Sequence, residues 1–423
     1  MRSYKQTFFV VFVAALCILF LAAERISAQV VPASQPDRII LSWSGDTATT
    51  QSVTWRTSIN VIESFAEIVE SGDSSKFAAN KKNFSAVREL VESNNMSYHS
   101  HSITFTDLKP DTMYCYRVGQ ESNWSEWFTF TTGSQSEQPF SFLYFGDAQS
   151  GLNTGYPRLV RQAFLTAPEA KFAIFVGDLV NRGENEHEWD AWFSAKGFLA
   201  AMYPIMPVPG NHEHTGRILT KLWRPLFTLP ENGPDSMKES CYTFVYNGVR
   251  MIGLDSTKDA HVRGENETSK WLENVLNNNK SRWVVVYFHH PIYSPGKGRN
   301  EVIWRTAIKP ILDKYQVDLV LQGHDHVYSR TGLHTPNVDV VDLTNAQELD
   351  PNSQTVYVSP MSGDKMYLLD EKPFFVKSLT DTQLFQIVKI DGNVLKYTAK
   401  TATGEVVDAF VIEKNASEKK LRQ

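Results

Sequence analysis

A chain of 423 residues, 42% hydrophobic and 21% charged, has room for one large or two to three ordinary globular domains with sizeable cores. Its net charge of −5 comes without any basic block, which removes the electrostatic case for a nucleic-acid partner. Three cysteines are too few for a disulfide-rich scaffold.

The N-terminus differs in kind from the rest. Arg2 and Lys5 precede an uninterrupted apolar run over 8–23, and the small residues Ser27 and Ala28 follow. The pattern predicts a secretory signal over 1–28, cut near Ala28. A retained anchor is the alternative, because Ile26 is not the small residue usual before such a cut. No other run approaches the length that spans a bilayer, so the expected location is secreted, periplasmic or extracellular, with no membrane contact after cleavage. Cys17 lies in the signal, leaving Cys115 and Cys241 to form one bridge or stay as buried thiols. Asn-X-Ser/Thr sequons stand at Asn83, Asn95, Asn123, Asn266, Asn279 and Asn415.

Residues 31–134 read as all-β. The segments 38–43 and 52–56 are short, β-branched and aromatic-rich, with the turn residues Gly45 and Asp46 between them. Further strands are expected at 100–105 and 127–131. In 112–119, Tyr114, Tyr116 and Val118 alternate with Cys115 and Arg117, so one face packs inward. The arrangement resembles a fibronectin type III sandwich, and Tyr114 stands where such domains carry a tyrosine corner. The Ser- and Gln-rich segment 133–138 is a candidate linker.

Over 140–412 strand-like runs alternate with helix-like ones. Helical spacing of apolar residues appears at 157–167, 186–201, 269–276 and 301–315, the last disturbed at Pro310, which cannot donate to the ladder. The stripes that carry Leu159, Trp189 and Trp271 are core faces. Residues 217–239 hold three prolines and read as a long loop over the site. Strands at 355–359, 384–388, 394–398 and 406–412 are expected to complete a second sheet. The fold class is therefore an all-β sandwich followed by an α/β (α+β) domain of two packed mixed sheets flanked by helices.

Within that second domain one grammar recurs. The apolar run 142–145 ends at Gly146-Asp147, and 173–176 ends at Gly177-Asp178. The run 203–209 ends at Gly210-Asn211-His212-Glu213-His214, and 283–288 ends at His289-His290-Pro291. The run 317–321 ends at Gln322-Gly323-His324-Asp325-His326. Each buried strand delivers a metal-capable residue to the edge of a sheet, where open α/β sheets place their ligand sites. Asp147, Asp178, Asn211, His289, His324 and His326 mix carboxylate, amide oxygen and imidazole without a thiolate. That mixture suits Fe, Zn or Mn. It exceeds the four donors of a structural zinc and suits two metals sharing a carboxylate, a pair that clamps the oxygens of an in-line displacement.

These blocks resemble the calcineurin-like metallophosphoesterases, and most closely their purple acid phosphatase branch, which also places a fibronectin-like domain first. The resemblance covers most of the mature chain. The Gly-Asn-His-Glu and Gly-His-X-His blocks are its specific part. It implies a secreted phosphatase with two divalent or mixed-valence ions, acting on a small phosphorylated substrate. Asp178 would bridge the metals, Asp147 and His326 would bind the first, and Asn211, His289 and His324 the second. His212 would serve the leaving oxygen, a role that suits an imidazole with a free pKa of about 6.5. A metal-bound hydroxide would attack phosphorus directly.

The sequence departs from the family at two points. The purple branch has a tyrosine ligand three residues after the bridging aspartate, and this chain has Asn181 there. The wider family often has Asp-X-His in the first block, and this chain has Gln149. The first metal loses two ligands, so its identity is open. His214 and His290 either line the substrate pocket or pack behind the ligands. His187 reads as a surface residue, Arg330 as a structural cation, and Trp223 and Phe227 as pocket or lid core. The leading reading is a phosphomonoesterase. Its rivals are a phosphodiesterase or nucleotide hydrolase on the same metals, and an inactive binding protein that uses the sandwich. Substrate and oligomeric state are not legible.

Overall fold

The computed structural model describes residues 31–93, 96–338, 342–343, 346–415 and 418–423. The expected signal at 1–28 and the sequon residue Asn95 lie outside the described residues. Residues from Pro32 onward form one compact unit.

Its N-terminal part is a β-sandwich. One sheet runs in the order Asp37–Ser42, Gln51–Ser58, Met96–Phe105, Val87–Ser93. The other pairs Lys82–Ser85, Phe65–Glu70 and Met113–Gln120, with Phe128–Thr131 on the far side of the last. Leu41, Val53, Trp55, Ala66, Tyr116 and Phe130 fill the space between them. Tyr114 behaves as a corner residue, because its hydroxyl accepts the Lys109 N–H at 2.9 Å. Gln51–Ser58 is buried along nearly its whole length, since its second face is also covered.

The cover is the segment expected to lie over the site. Its residues Leu222, Trp223, Leu226 and Phe227 are fully or almost fully buried in the main core. Trp223 and Phe227 pack with ring centroids 4.9 Å apart, and Phe227 also meets Trp189 and Trp192. Thr228 bonds Thr54 at 2.8 Å, and the Pro225 carbonyl accepts from Ser100 at 2.6 Å. Too apolar to stay in solvent, this middle portion wedges the sandwich against the second domain and forms no lid.

The second domain is built on two seven-stranded mixed sheets. In the first, β1 (Phe140–Phe145), β2 (Ala173–Val176) and β3 (Ile205–Val208) are parallel. In the second, β4 (Trp283–Phe288) and β5 (Leu319–Leu321) are parallel. All five are buried throughout, as strands covered on both faces must be. Leu143, Phe145 and Met206 of one sheet share a core with Tyr287, Leu319 and Leu321 of the other. Helices Glu267–Asn277 and Val302–Lys314 cover the second sheet with Leu272, Leu276, Trp304, Ile308 and Leu312. The latter helix runs on across Pro310.

The late strands divide differently from expectation. Of the four expected strands, Val356–Ser359 alone joins the second sheet, where Phe375–Leu379 also lies. Leu384–Asp391, Val394–Thr401, Val406–Lys414 and Lys419–Arg422 extend the first sheet from β1 as an antiparallel meander. Alternating burial in these strands matches an outer region with one wet face.

Candidate metal centre

The C-terminal ends of β1 to β5 converge, and each loop that follows carries a proposed ligand. The loops are sharply bent. Asp147, Asp178, His324 and His326 have φ values of 58°, 50°, 78° and 48°, the left-handed region that side chains other than glycine rarely occupy. Gly177, at φ 83°, makes the turn that presents Asp178. At Gly210 a Cβ would stand 2.2 Å from Asp178 Oδ1, so only glycine lets the two loops touch.

Two groups of ligating atoms each lie within 4.8 Å of one another: Asp178 with His289 and His324, and Asp147 with Asp178 and His326. Asp178 belongs to both. His289 Nδ1–H donates to the Val176 carbonyl at 2.9 Å, which turns Nε2 inward. That Nε2 lies 3.2 Å from Asp178 Oδ2, 3.0 Å from Asn211 Oδ1 and 3.0 Å from His324 Nδ1. On the other side, His326 Nδ1–H donates to the Lys365 carbonyl at 2.9 Å, and its Nε2 lies 3.7 Å from Asp147 Oδ1. The backbone N–H of His324 donates to both Asp147 oxygens, at 2.8 and 2.9 Å.

The electrostatics call for cations. Burial opposes charge on His289, yet Asp178 and Asp147 outweigh it and hold its pKa up at about 9. Burial likewise opposes charge on Asp178, but His289 and His212 hold its carboxyl below the usual range. Asp147 is pushed up, by burial first and by Asp178 after it. Burial, then the neighbouring His290, His289 and Arg299, hold His324 well down, so the imidazole is neutral and one ring nitrogen keeps its lone pair. Carboxylate and amide oxygens and imidazole nitrogens face one another in a buried space, and a pair of borderline metal ions, taking the place of the His289 proton, fits that donor set.

His212 stands beside this cluster. Its Nδ1–H donates to the Asn181 carbonyl at 2.6 Å, which leaves Nε2 facing the centre, 3.8 Å from Asp178 Oδ2. The Gln149 amide is 3.4 Å from the same Nε2. The Asn181 side chain is exposed. His214 and His290 adjoin the ligands but are otherwise engaged. His214 bonds the Gly210 carbonyl at 2.9 Å and Asp255 at 3.2 Å, and its imidazole is 0% exposed. His290 bonds Ser256 at 2.9 Å and packs on His324 with ring centroids 4.4 Å apart. His187 is exposed, and Arg330 pairs with Asp408 at 2.7 Å. Cys115 and Cys241 are both free and buried.

Three residues near the centre had no role in the sequence reading. Glu213 was visible as part of a motif, but nothing in the sequence shows that its carboxylate accepts four backbone N–H groups. Arg299 touches His324 Nε2. Lys365 borders Gln149 from a loop with no motif.

Comparison with known proteins agrees with this geometry. Residues 140–328 match the calcineurin-like phosphoesterase family, and residues 36–132 match the purple acid phosphatase N-terminal domain. An uncharacterised protein of Mycobacterium tuberculosis is 28% identical over 55% of this chain and 50% of its own length. Purple acid phosphatase 18 of Arabidopsis thaliana is 28% identical over 70% of this chain and 67% of its own. The chain spans 50–55% of the length of the first four curated relatives it matches. The solved structure of a purple acid phosphatase from yellow lupin seeds shares the fold, with a TM-score of 0.72 over 90% of this chain and 75% of that one at 19% identity.

Proposed function

The chain belongs to the calcineurin-like metallophosphoesterases, in the purple acid phosphatase branch, and from that premise we propose that it is a secreted, binuclear, metal-dependent phosphomonoesterase. The observation that carries this reading is the sharing of Asp178 between two donor groups. Asp147, Asp178 and His326 would hold one ion, and Asp178, Asn211, His289 and His324 the other. Two ions there would supply positive charge against phosphoryl oxygens and make a water more acidic.

The chain's own groups do the rest. Asp178 Oδ1 accepts the backbone N–H of His212 at 2.9 Å, which ties the proposed bridging carboxylate to the segment that carries the proton donor. The Asn181 carbonyl takes the Nδ1 proton, so Nε2 is the site that a second proton would occupy in the imidazolium, facing the space where a leaving oxygen would stand and receive it. His290, its charge suppressed by burial, packs the His324 ring in place.

The test joins metal analysis of the purified protein to hydrolysis of a chromogenic monoester and a chromogenic diester, with and without chelator. Two ions per chain and chelator-sensitive turnover of the monoester are expected. Faster turnover of the diester would favour the phosphodiesterase. No turnover of either after loading with Mn, Zn or Fe would favour a binding protein.

A further inference from the structure

Two cations outside the family motifs stand over the metal centre. Lys365 and Arg299 come from separate loops, and each places its charged group 5.2 Å from the centroid of the Tyr367 ring. Tyr367 itself packs on His326, with ring centroids 4.8 Å apart, and donates its backbone N–H to the His326 carbonyl at 3.3 Å. The arch therefore spans both halves of the centre. Arg299 Nη2 touches His324. Lys365 lies on the His326 side, where its charge adds to burial in lowering that imidazole's pKa to about 3.

The two cations differ in how their charge is balanced. Arg299 pairs through Nε with Asp325, at 2.7 Å, so its Nη2 edge is the part turned to the centre. Lys365 has no carboxylate within 4.0 Å among the described residues. When the Gln149 amide turns its nitrogen to Asp178 Oδ2, at 3.2 Å, its oxygen accepts from Lys365 Nζ at 3.3 Å. The same amide is 3.4 Å from His212 Nε2, so Lys365 stands on the side of the centre that His212 faces. A half-buried ammonium with a neutral amide for a partner is poised for an anion.

We propose that Lys365 and Arg299, set apart by Tyr367, clamp the non-bridging oxygens of a phosphoryl dianion and thereby select monoesters over diesters. The proposal rests on the phosphoesterase reading above. A monoester offers three non-bridging oxygens and two charges near neutrality, whereas a diester offers two oxygens and one charge. A guanidinium edge takes two oxygens at once and an ammonium takes the third, so the clamp gains most from the dianion.

The test titrates inorganic phosphate calorimetrically into the metal-loaded protein, wild type against Lys365→Met, Arg299→Met and Lys365→Arg. Metal content is measured beside it, with kcat/KM for a chromogenic monoester and diester. Each methionine variant is expected to keep its metals and to weaken phosphate binding by about 10- to 100-fold, the loss for one charge-assisted hydrogen bond. Monoester kcat/KM falls with it, diester kcat/KM changes less than about threefold, and Lys365→Arg, which keeps the positive charge, loses less phosphate affinity than Lys365→Met. Unchanged phosphate affinity in metal-replete variants, or equal losses on both esters, overturns the clamp. Loss of metal along with phosphate affinity also overturns it, since the cations would then be holding ligands. A wild type that binds phosphate but hydrolyses neither ester removes the phosphoesterase reading and leaves the clamp standing.

Discussion

The Glu213 carboxylate accepts the backbone N–H of Asp178 at 2.9 Å. It also accepts those of Leu179, Val180 and Gly210, at 2.8, 3.2 and 2.7 Å. One buried side chain thus ties the loop after β2, which carries Asp178, to the loop after β3, which carries Asn211 and His212. Asp178, the member common to both candidate donor groups, is held by that registration.

Glu213→Gln replaces one acceptor oxygen by an NH2 group that faces donors. At least one buried N–H loses its partner, at a cost of about 1–3 kcal/mol. A partner behind the ligands of this kind also affects metal affinity, by about 10- to 100-fold. Calorimetric melting and metal titration should show both losses. A variant with wild-type melting and affinity would mean that the loops hold their register without Glu213.

Asp178→Asn should remove nearly all turnover and lower metal content to one ion per chain or fewer. The amide is neutral and cannot hold two cations together. Elemental analysis decides, and retention of two ions with normal turnover would take Asp178 out of the bridging position.

The five site-bearing strands were legible because a fully buried parallel strand is a short apolar run, and the residue after it is set apart by its chemistry. The first three strands of the meander, from Leu384 to Lys414, were legible one by one, Lys419–Arg422 was not, and the sheet they join was not, because pairing with β1 is a contact between distant segments that alternation does not encode. Residues 217–239 misled for a related reason. Their prolines signalled a loop, while Trp223 and Phe227 were already hydrophobic enough to be core. Lys365 and Arg299 escaped because a lone cation in a loop carries no periodicity, and only the shared ring of Tyr367 brings them together.

His212→Ala should keep both metals and lower kcat by about 10²- to 10⁴-fold, the usual contribution of a general acid or base. The loss should shrink for esters with good leaving groups, which need less protonation. Equal losses for good and poor leaving groups would reduce His212 to a positioning residue.

The sandwich carries an acid-sensitive residue of its own. His101 bonds Thr57 at 2.7 Å and stacks on Trp55. Burial, then His99 and Arg88, lower its pKa from 6.5 to about 4. The unfolded chain therefore takes up a proton that the folded chain refuses. The stability from His101 is fully present above pH 6.5 and is lost as pH falls towards the folded value near 4. The full shift corresponds to about 3 kcal/mol. Melting temperatures across that range, wild type against His101→Gln, should converge as pH falls. Parallel curves would show that His101 titrates alike in both states.

The last expectation concerns colour. In the purple branch the visible band comes from charge transfer between a tyrosinate and Fe(III), and this chain has Asn181 at the position of that tyrosine. The Asn181 carbonyl is held by His212 at 2.6 Å, while its side chain is exposed. Gln149, the other departure, is neutral and engaged with its neighbours, so neither residue restores an anionic ligand. If Asp147, Asp178 and His326 are its protein donors, as proposed, the first position has less preference for a trivalent ion and should take Mn, Zn or Fe(II) by availability. The iron-loaded protein should therefore lack an intense visible band, and Asn181→Tyr should introduce one. If the unmodified protein does absorb strongly, the phenol to examine is Tyr367, whose ring lies 4.8 Å from that of His326. Loss of the band in Tyr367→Phe would then identify it as the ligand and overturn the assignment of a tyrosinate-free centre.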